Sequence, residues 1–143
     1  MTDTTTHPTP AHLLPHRTPT QLLTVAWQGI ADATHTDADG LRYAAAHLAA
    51  LRAAAAILAA RTTPAVTNRQ ERHRMPSVWV QLTTTAPELA EWAQFFADTT
   101  SKRAAAEAGI PRVVTGQEAD DMLRAAEQFV TMVEMHFGTG VAR

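Results

Sequence analysis

The 143-residue chain is long enough for one domain with one core, and its 45% share of hydrophobic residues is ordinary for a globular fold. A formal net charge of −2 provides no global positive field to attract nucleic acid or acidic lipid. The lack of cysteine excludes disulfides, thiolate nucleophiles and cysteine-based metal sites, and it fits a reducing cytoplasm, which is the expected location.

Residues 1–18 are rich in Thr, Pro and His and lack the basic start and apolar core of a secretory leader. They bring little apolar surface to offset ordering entropy, so a flexible tail is expected, followed by a single helical domain over 19–138. His7, His12 and His16 are irregularly spaced among prolines, a poor preset for a metal, and neither metal nor cofactor is expected. No unbroken apolar run approaches the roughly 18–20 residues that cross a bilayer, so no membrane partner is expected.

The first helix has a readable start. Thr18-Pro19-Thr20-Gln21 places a capping hydroxyl, a proline at the first helical position and a glutamine able to reach back to the cap. Leu22, Leu23, Ala26, Trp27 and Ile30 follow at helical spacing. Asp37 or Asp39 can cap a second helix over about 40–60, where Leu41, Leu48 and Ala55 recur at heptad spacing beside Ala44, Leu51 and Leu58. Its alanines permit close approach of a partner helix, and Pro64 ends the run.

Residues 62–75 form a connector that is long for a bundle. Beyond it, Val78, Trp79 and Leu82 predict a short extra helix over about 76–84. Pro87 then opens a third long helix with Leu89, Trp92, Ala93 and Phe96 on its buried side, continuing through Lys102, Arg103 and Ala106 to a stop at Gly109 and Pro111. Thr115-Gly116-Gln117-Glu118 is a second capping box, and Met122, Ala125, Ala126, Phe129, Val130 and Val133 recur on one side of the last helix. Asp120 and Asp121 suit the positive end of its dipole. Nothing alternates with period two over a useful length. The expected fold is all-α: an antiparallel bundle of four principal helices, or five with the short extra one.

Three constellations could carry chemistry. Arg42 and His47 stand with four residues between them, and in RNA cleavage a histidine can move the 2′-hydroxyl proton while an arginine stabilises phosphate charge. Five residues along a regular helix turn through about 500°, which leaves the two side chains about 140° apart and favours a solvated arginine beside a partly buried histidine. Arg69, Arg72 and Arg74 in the connector could bind phosphate, or pair with the acidic last helix. Lys102 and Arg103 could hold an anion, or complement a helix C-terminus. Trp27, Trp79 and Trp92 read as core or interface residues. Nucleotide-loop, HExxH and GxSxG motifs are lacking.

Val78-Trp79-Val80-Gln81-Leu82, Ala86-Pro87-Glu88-Leu89-Ala90-Glu91-Trp92-Ala93, Lys102-Arg103-Ala104-Ala105-Ala106-Glu107-Ala108-Gly109-Ile110 and Glu118-Ala119-Asp120-Asp121-Met122-Leu123-Arg124 together resemble a family of short actinobacterial proteins classed with the HEPN domains. The likeness covers roughly 41–137. It implies a HEPN-like helical bundle, often a homodimer. Many HEPN proteins are metal-independent endoribonucleases of toxin or defence systems, with Arg, four to six residues, then His near the start of a late helix. Arg42 and His47 match the spacing, but Tyr43 replaces the usual polar residue and the pair lies in an early helix. Other HEPN domains bind nucleotides, RNA or partner proteins without catalysis. The leading expectation is therefore a HEPN-like binding or interaction module for RNA, a nucleotide or a protein. The alternatives are an endoribonuclease using Arg42 and His47, and a ligand-free scaffold.

Overall fold

The computed structural model describes residues 17–61 and 76–141, with side chains described as far as 137. In chain order the helices are α1 (Pro19–Thr34), α2 (Asp39–Arg61), α3 (Val78–Thr85), α4 (Ala90–Asp98), α5 (Thr100–Glu107) and α6 (Gly116–Val141), with a 3₁₀ turn at Pro87–Leu89. There is no strand among the described residues, as the all-α expectation required.

Both capping boxes form. The Gln21 amide N–H donates to Thr18 Oγ1 at 3.0 Å, and the Thr18 N–H donates to Gln21 Oε1 at 2.8 Å. At α6 the Glu118 N–H donates to Thr115 Oγ1 at 3.0 Å, and the Thr115 N–H donates to Glu118 Oε1 at 2.9 Å. Each box satisfies two backbone donors that a helix start leaves open. The short helix α3 starts on Ser77, whose Oγ accepts from the Val80 N–H at 3.3 Å.

Residues 35–38 turn the chain back, so α1 and α2 form an antiparallel hairpin. Helix α2 is the spine of the bundle and packs on α1, α3, α5 and α6. Its buried residues are mostly alanine (Ala46, Ala49, Ala50, Ala53 and Ala54 among them), joined by Tyr43, His47 and Ile57. At Gly29 an added Cβ would lie 3.2 Å from the Ala49 Cβ, so the α1–α2 seam is as close as small residues permit. By length and mean hydropathy, 1.5 over its best window, α2 would suffice to cross a membrane. Its alanines raise the average without forming a long unbroken apolar run, and 61% of that window is buried inside the bundle, as in a core helix.

One predicted helix divides. The expected continuous third helix, from Pro87 to Gly109, is a 3₁₀ turn, α4 and α5 in succession, with the break at Thr99. Thr99 sits at φ −100°, ψ 3°. The Phe96 carbonyl there accepts from the Thr99 N–H at 3.3 Å, Thr99 Oγ1 at 3.1 Å, Thr100 Oγ1 at 2.9 Å and His47 Nε2 at 2.9 Å. Hydroxyls that bond back to a helical carbonyl bend helices, and an outside donor on the same oxygen strengthens the effect.

Candidate functional site

Arg42 lies in the first turns of α2, with its side chain only 13% exposed. Its guanidinium donates to the carbonyls of Thr36 (3.0 Å) and Asp37 (2.9 Å), which close the α1–α2 turn. Nη2 pairs with Asp39 Oδ1 at 3.0 Å and with Asp120 Oδ1 at 3.2 Å, and reaches the Gly116 carbonyl at 3.5 Å. A planar fork with five donors suits such divergent acceptors, which a lysine would serve poorly. Arg42 thus binds the turn and the start of α2 to the start of α6. The solvated arginine expected from the sequence is a clamp, because its acceptors lie up to 78 positions away in the chain, at Asp120.

His47 points elsewhere. It is 1% exposed. A carbonyl only accepts, so Nε2 must carry the hydrogen that it donates to Phe96. The ring lies edge-on to Trp79 (centroids 6.0 Å apart) and Phe96 (5.7 Å). Burial pushes the imidazole below its usual pKa; the Phe96 carbonyl offsets part of this, the Arg103 charge lowers it further, and Glu107 raises it. Nδ1 is buried with no hydrogen-bond partner, so a second ring proton would have no acceptor. Arg42 and His47 therefore serve separate structures: the first holds helix starts together, the second supports an aromatic core and the α4–α5 break.

Lys102 and Arg103 lie on α5, near its start, and not late in one long helix. Lys102 Nζ pairs with Glu118 Oε2, using the oxygen that the α6 capping box leaves available. This pairing holds the Lys102 ammonium above its usual pKa, while the same hydrogen bond, followed by the Thr115 N–H, holds the Glu118 carboxyl below its own. Arg103 Nη1 approaches Glu107 at 3.6 Å, and its Nε is buried without a partner. Both cations face carboxylates of their own chain. Arg69, Arg72 and Arg74 lie outside the described residues, as do His7, His12 and His16.

Two residues noted in the sequence for other reasons belong to this region. Tyr43 is buried one helical turn before His47, and its phenol engages the Thr99 side chain. Burial is the main cause that pushes the phenol up, partly offset by the nearby Lys102. Asp120, read as dipole compensation, is also a partner of Arg42. The i, i+4 spacing of Tyr43 and His47 was visible, but only the broken helix brings Thr99 and Phe96 to them.

No group of three or more potential metal-ligating side chains occurs among the described residues. An open groove of about 500 Å³ lies between the start of α2 and the α5–α6 loop. The groove is lined by Leu41, Ala106, Ile110 and Val113, with Glu107 and Arg112 also on it. Gly109 (φ 80°) ends α5, and Arg112 (φ 61°) adopts the left-handed conformation that costs a non-glycine residue roughly 1–3 kcal/mol. A second groove of about 350 Å³ is lined by Glu91, Trp92, Phe95 and Ala125.

Comparison with curated proteins and with solved structures gave no match. The family model of the SAV_6107-like HEPN proteins matches residues 33–134, a span that holds Arg42, His47, the aromatic cluster and both capped ends of the α5–α6 connection. With that match across most of its length and an all-helical architecture, the chain belongs to the SAV_6107-like HEPN family.

Proposed function

We propose that this HEPN domain is a non-catalytic interaction module whose partner is a protein surface. The observation that carries this reading is the placement of His47, buried and bonded through Nε2 to the Phe96 carbonyl. A general base must come within hydrogen-bond reach of the proton it takes, and a 2′-hydroxyl could meet His47 only after the aromatic core opened. Arg42, the other half of the expected pair, already has both terminal nitrogens on four partners of its own chain.

The charge pattern favours protein over RNA. Arg42, Arg61, Lys102, Arg103 and Arg124 each face a carboxylate within the chain, and a phosphate would have to displace it. Exposed apolar side chains are instead available on the α2, α4 and α5–α6 segments.

The test is incubation of the purified protein with mixed RNA, with and without EDTA, beside His47→Gln, followed by gel shifts at rising salt. Intact RNA and no salt-sensitive shift are expected. EDTA-indifferent cleavage that is lost in His47→Gln, while the fold is kept, would establish the endoribonuclease instead. A shift whose affinity falls steeply between about 50 and 200 mM salt would establish an RNA-binding module.

A further inference from the structure

We infer that the seam between α4 and α6 is a docking groove for a basic amphipathic helix of a partner protein. The inference rests on the reading of the domain as a protein-interaction module, and it names the surface and the partner's chemistry.

The segment from the 3₁₀ turn to α5 is tied to α6 at two ends. At one, Glu88 Oε2 lies 3.4 Å from His136 Nε2; at the other, Lys102 pairs with Glu118. Between these ties the seam opens into the groove of about 350 Å³ lined by Glu91, Trp92, Phe95 and Ala125. Two large rings on one wall and a methyl group on the other leave the hollow. Phe95 is 41% exposed, yet its ring rests edge-on against the buried Phe96, centroids 5.0 Å apart. Trp92 is held from beneath by Phe96 at 6.0 Å and Phe129 at 5.6 Å. The apolar wall is thus in place before a partner arrives, which lowers the ordering cost of binding. Met132 is 36% exposed and lies two turns beyond Ala125 on the same side of α6, so it prolongs the other wall.

The rim selects a sign. Between Ala86 and Asp98 the charged residues are Glu88, Glu91 and Asp98, all acids. Glu88 is met by Arg61 and His136. The Glu91 carboxylate has no ion pair or hydrogen bond among the described residues, and Asp98 takes only a neutral amide, Gln94 Nε2 at 2.7 Å. On α6, Asp121 is matched by Arg124 and Glu118 by Lys102. Two carboxylates are therefore left without a cation beside an apolar groove, and a partner with basic residues next to its apolar ones complements both features. The other groove makes no such choice, because Asp39, Glu107 and Arg112 all line it.

The walls also decide the partner's backbone. Both are helices whose amides and carbonyls bond internally, so they offer no ladder to an extended strand. A segment buried there has to satisfy its own backbone, as a helix does. Its apolar side chains at i, i+4 and i+7 enter the groove, and the Lys or Arg residues beside them meet Glu91 and Asp98.

Three labelled synthetic peptides of about 14 residues test this by fluorescence anisotropy. The first is made of leucine and lysine with the leucines on one helical face. The second has the same composition with the leucines scattered, and the third has glutamate in place of every lysine. The first should bind with a dissociation constant on the order of 10–100 µM, as a small interface implies. The other two should bind at least about tenfold more weakly. In ¹H–¹⁵N spectra of the protein, the shifts caused by the first peptide should cluster at Trp92, Phe95 and Ala125. Phe95→Ala should weaken it at least about fivefold. Glu91→Lys should weaken the lysine peptide and strengthen the glutamate peptide, a reversal that a folding defect cannot produce. No binding at about 500 µM would overturn the proposal. So would equal binding of the scattered-leucine or glutamate peptide, shifts that cluster at Leu41 and Ile110, or an affinity that neither variant changes. Intact RNA beside an unbound peptide would remove this groove and keep the non-catalytic reading, whereas cleaved RNA would remove that reading whatever the peptide does.

Discussion

The two sides of α2 are built from different materials. Toward α1 the seam is small residues, with Ala26 and Ala33 buried on α1 and Gly29 in near contact with Ala49. Toward α3, α4 and α6 the core is aromatic. Phe96 stacks on Trp79 at 5.1 Å and Trp92 at 6.0 Å, lies 5.1 Å from Phe129, and has the His47 ring on its edge at 5.7 Å. The alanine seam gains stability from proximity and the aromatic side from area and ring geometry. The aromatic side holds a histidine within it, bonded through Nε2 to the Phe96 carbonyl.

The largest effects should come from the aromatic side. Phe96→Ala and Phe129→Ala each remove a fully buried ring at the cluster's centre and should cost about 3–5 kcal/mol in urea unfolding. If either costs less than about 1 kcal/mol, the cluster is not what holds α4 to the bundle. The alanine seam should fail in the opposite way, by overfilling. Ala49→Leu has no room opposite Gly29 and should cost about 1–3 kcal/mol. A neutral result would mean the helices can move apart freely.

Arg42→Ala should follow, at about 1–3 kcal/mol, because it leaves the Thr36 and Asp37 carbonyls and two carboxylates without their donor. Arg42→Lys should recover only part of this, since one ammonium cannot span the divergent acceptors. Full recovery would show that charge alone matters there.

A smaller effect depends on pH. The His47 pKa is lowered by burial, so near pH 6 the unfolded chain binds more protons at this residue than the folded one. The His47 contribution is then fully present above about pH 6.5 and is lost as pH falls toward the depressed folded value. Urea midpoints taken from pH 7.5 to 5.5 should decline, and His47→Gln should flatten that decline. An identical slope in the variant would mean that the decline comes from other groups. Least costly of all should be Lys102→Met. Its pair with Glu118 is more than a third exposed on both sides, so solvent screening leaves it little to contribute, and the urea midpoint should barely move.

The same contrast explains what the sequence could and could not reveal. The capping boxes at Thr18 and Thr115 and the periodic faces of α1 and α6 are local patterns, and those helices form where the patterns place them. On α2 the heptad row of Leu41, Leu48 and Ala55 is not the buried face: Leu41 is 57% exposed, and Ala46, Ala49, Ala50, Ala53 and Ala54 are buried instead. Trp79 proved a core residue, as its spacing suggested. The break at Thr99 was hidden, because nothing in Asp98-Thr99-Thr100-Ser101 announces that one carbonyl will take four donors, one of them 49 residues away. Arg42 was hidden for the same reason. Helical geometry correctly separated it from His47, but its burial depends on Gly116 and Asp120 meeting the start of α2. What each residue of the suspected pair does was therefore a tertiary property, while their divergence was already a local one.

The most direct test is a long-range ¹H–¹⁵N spectrum of the histidine ring nitrogens, with His47 assigned by its disappearance in His47→Gln, followed from pH 7.5 to 5.5. A structural His47 should show a single neutral tautomer protonated at Nε2 at pH 7.5, with any titration displaced below the ordinary histidine range. A His47 ring that titrates near 6.5 with both nitrogens exchanging, as a solvent-reachable general base would, would contradict its place in the core and reopen the catalytic reading.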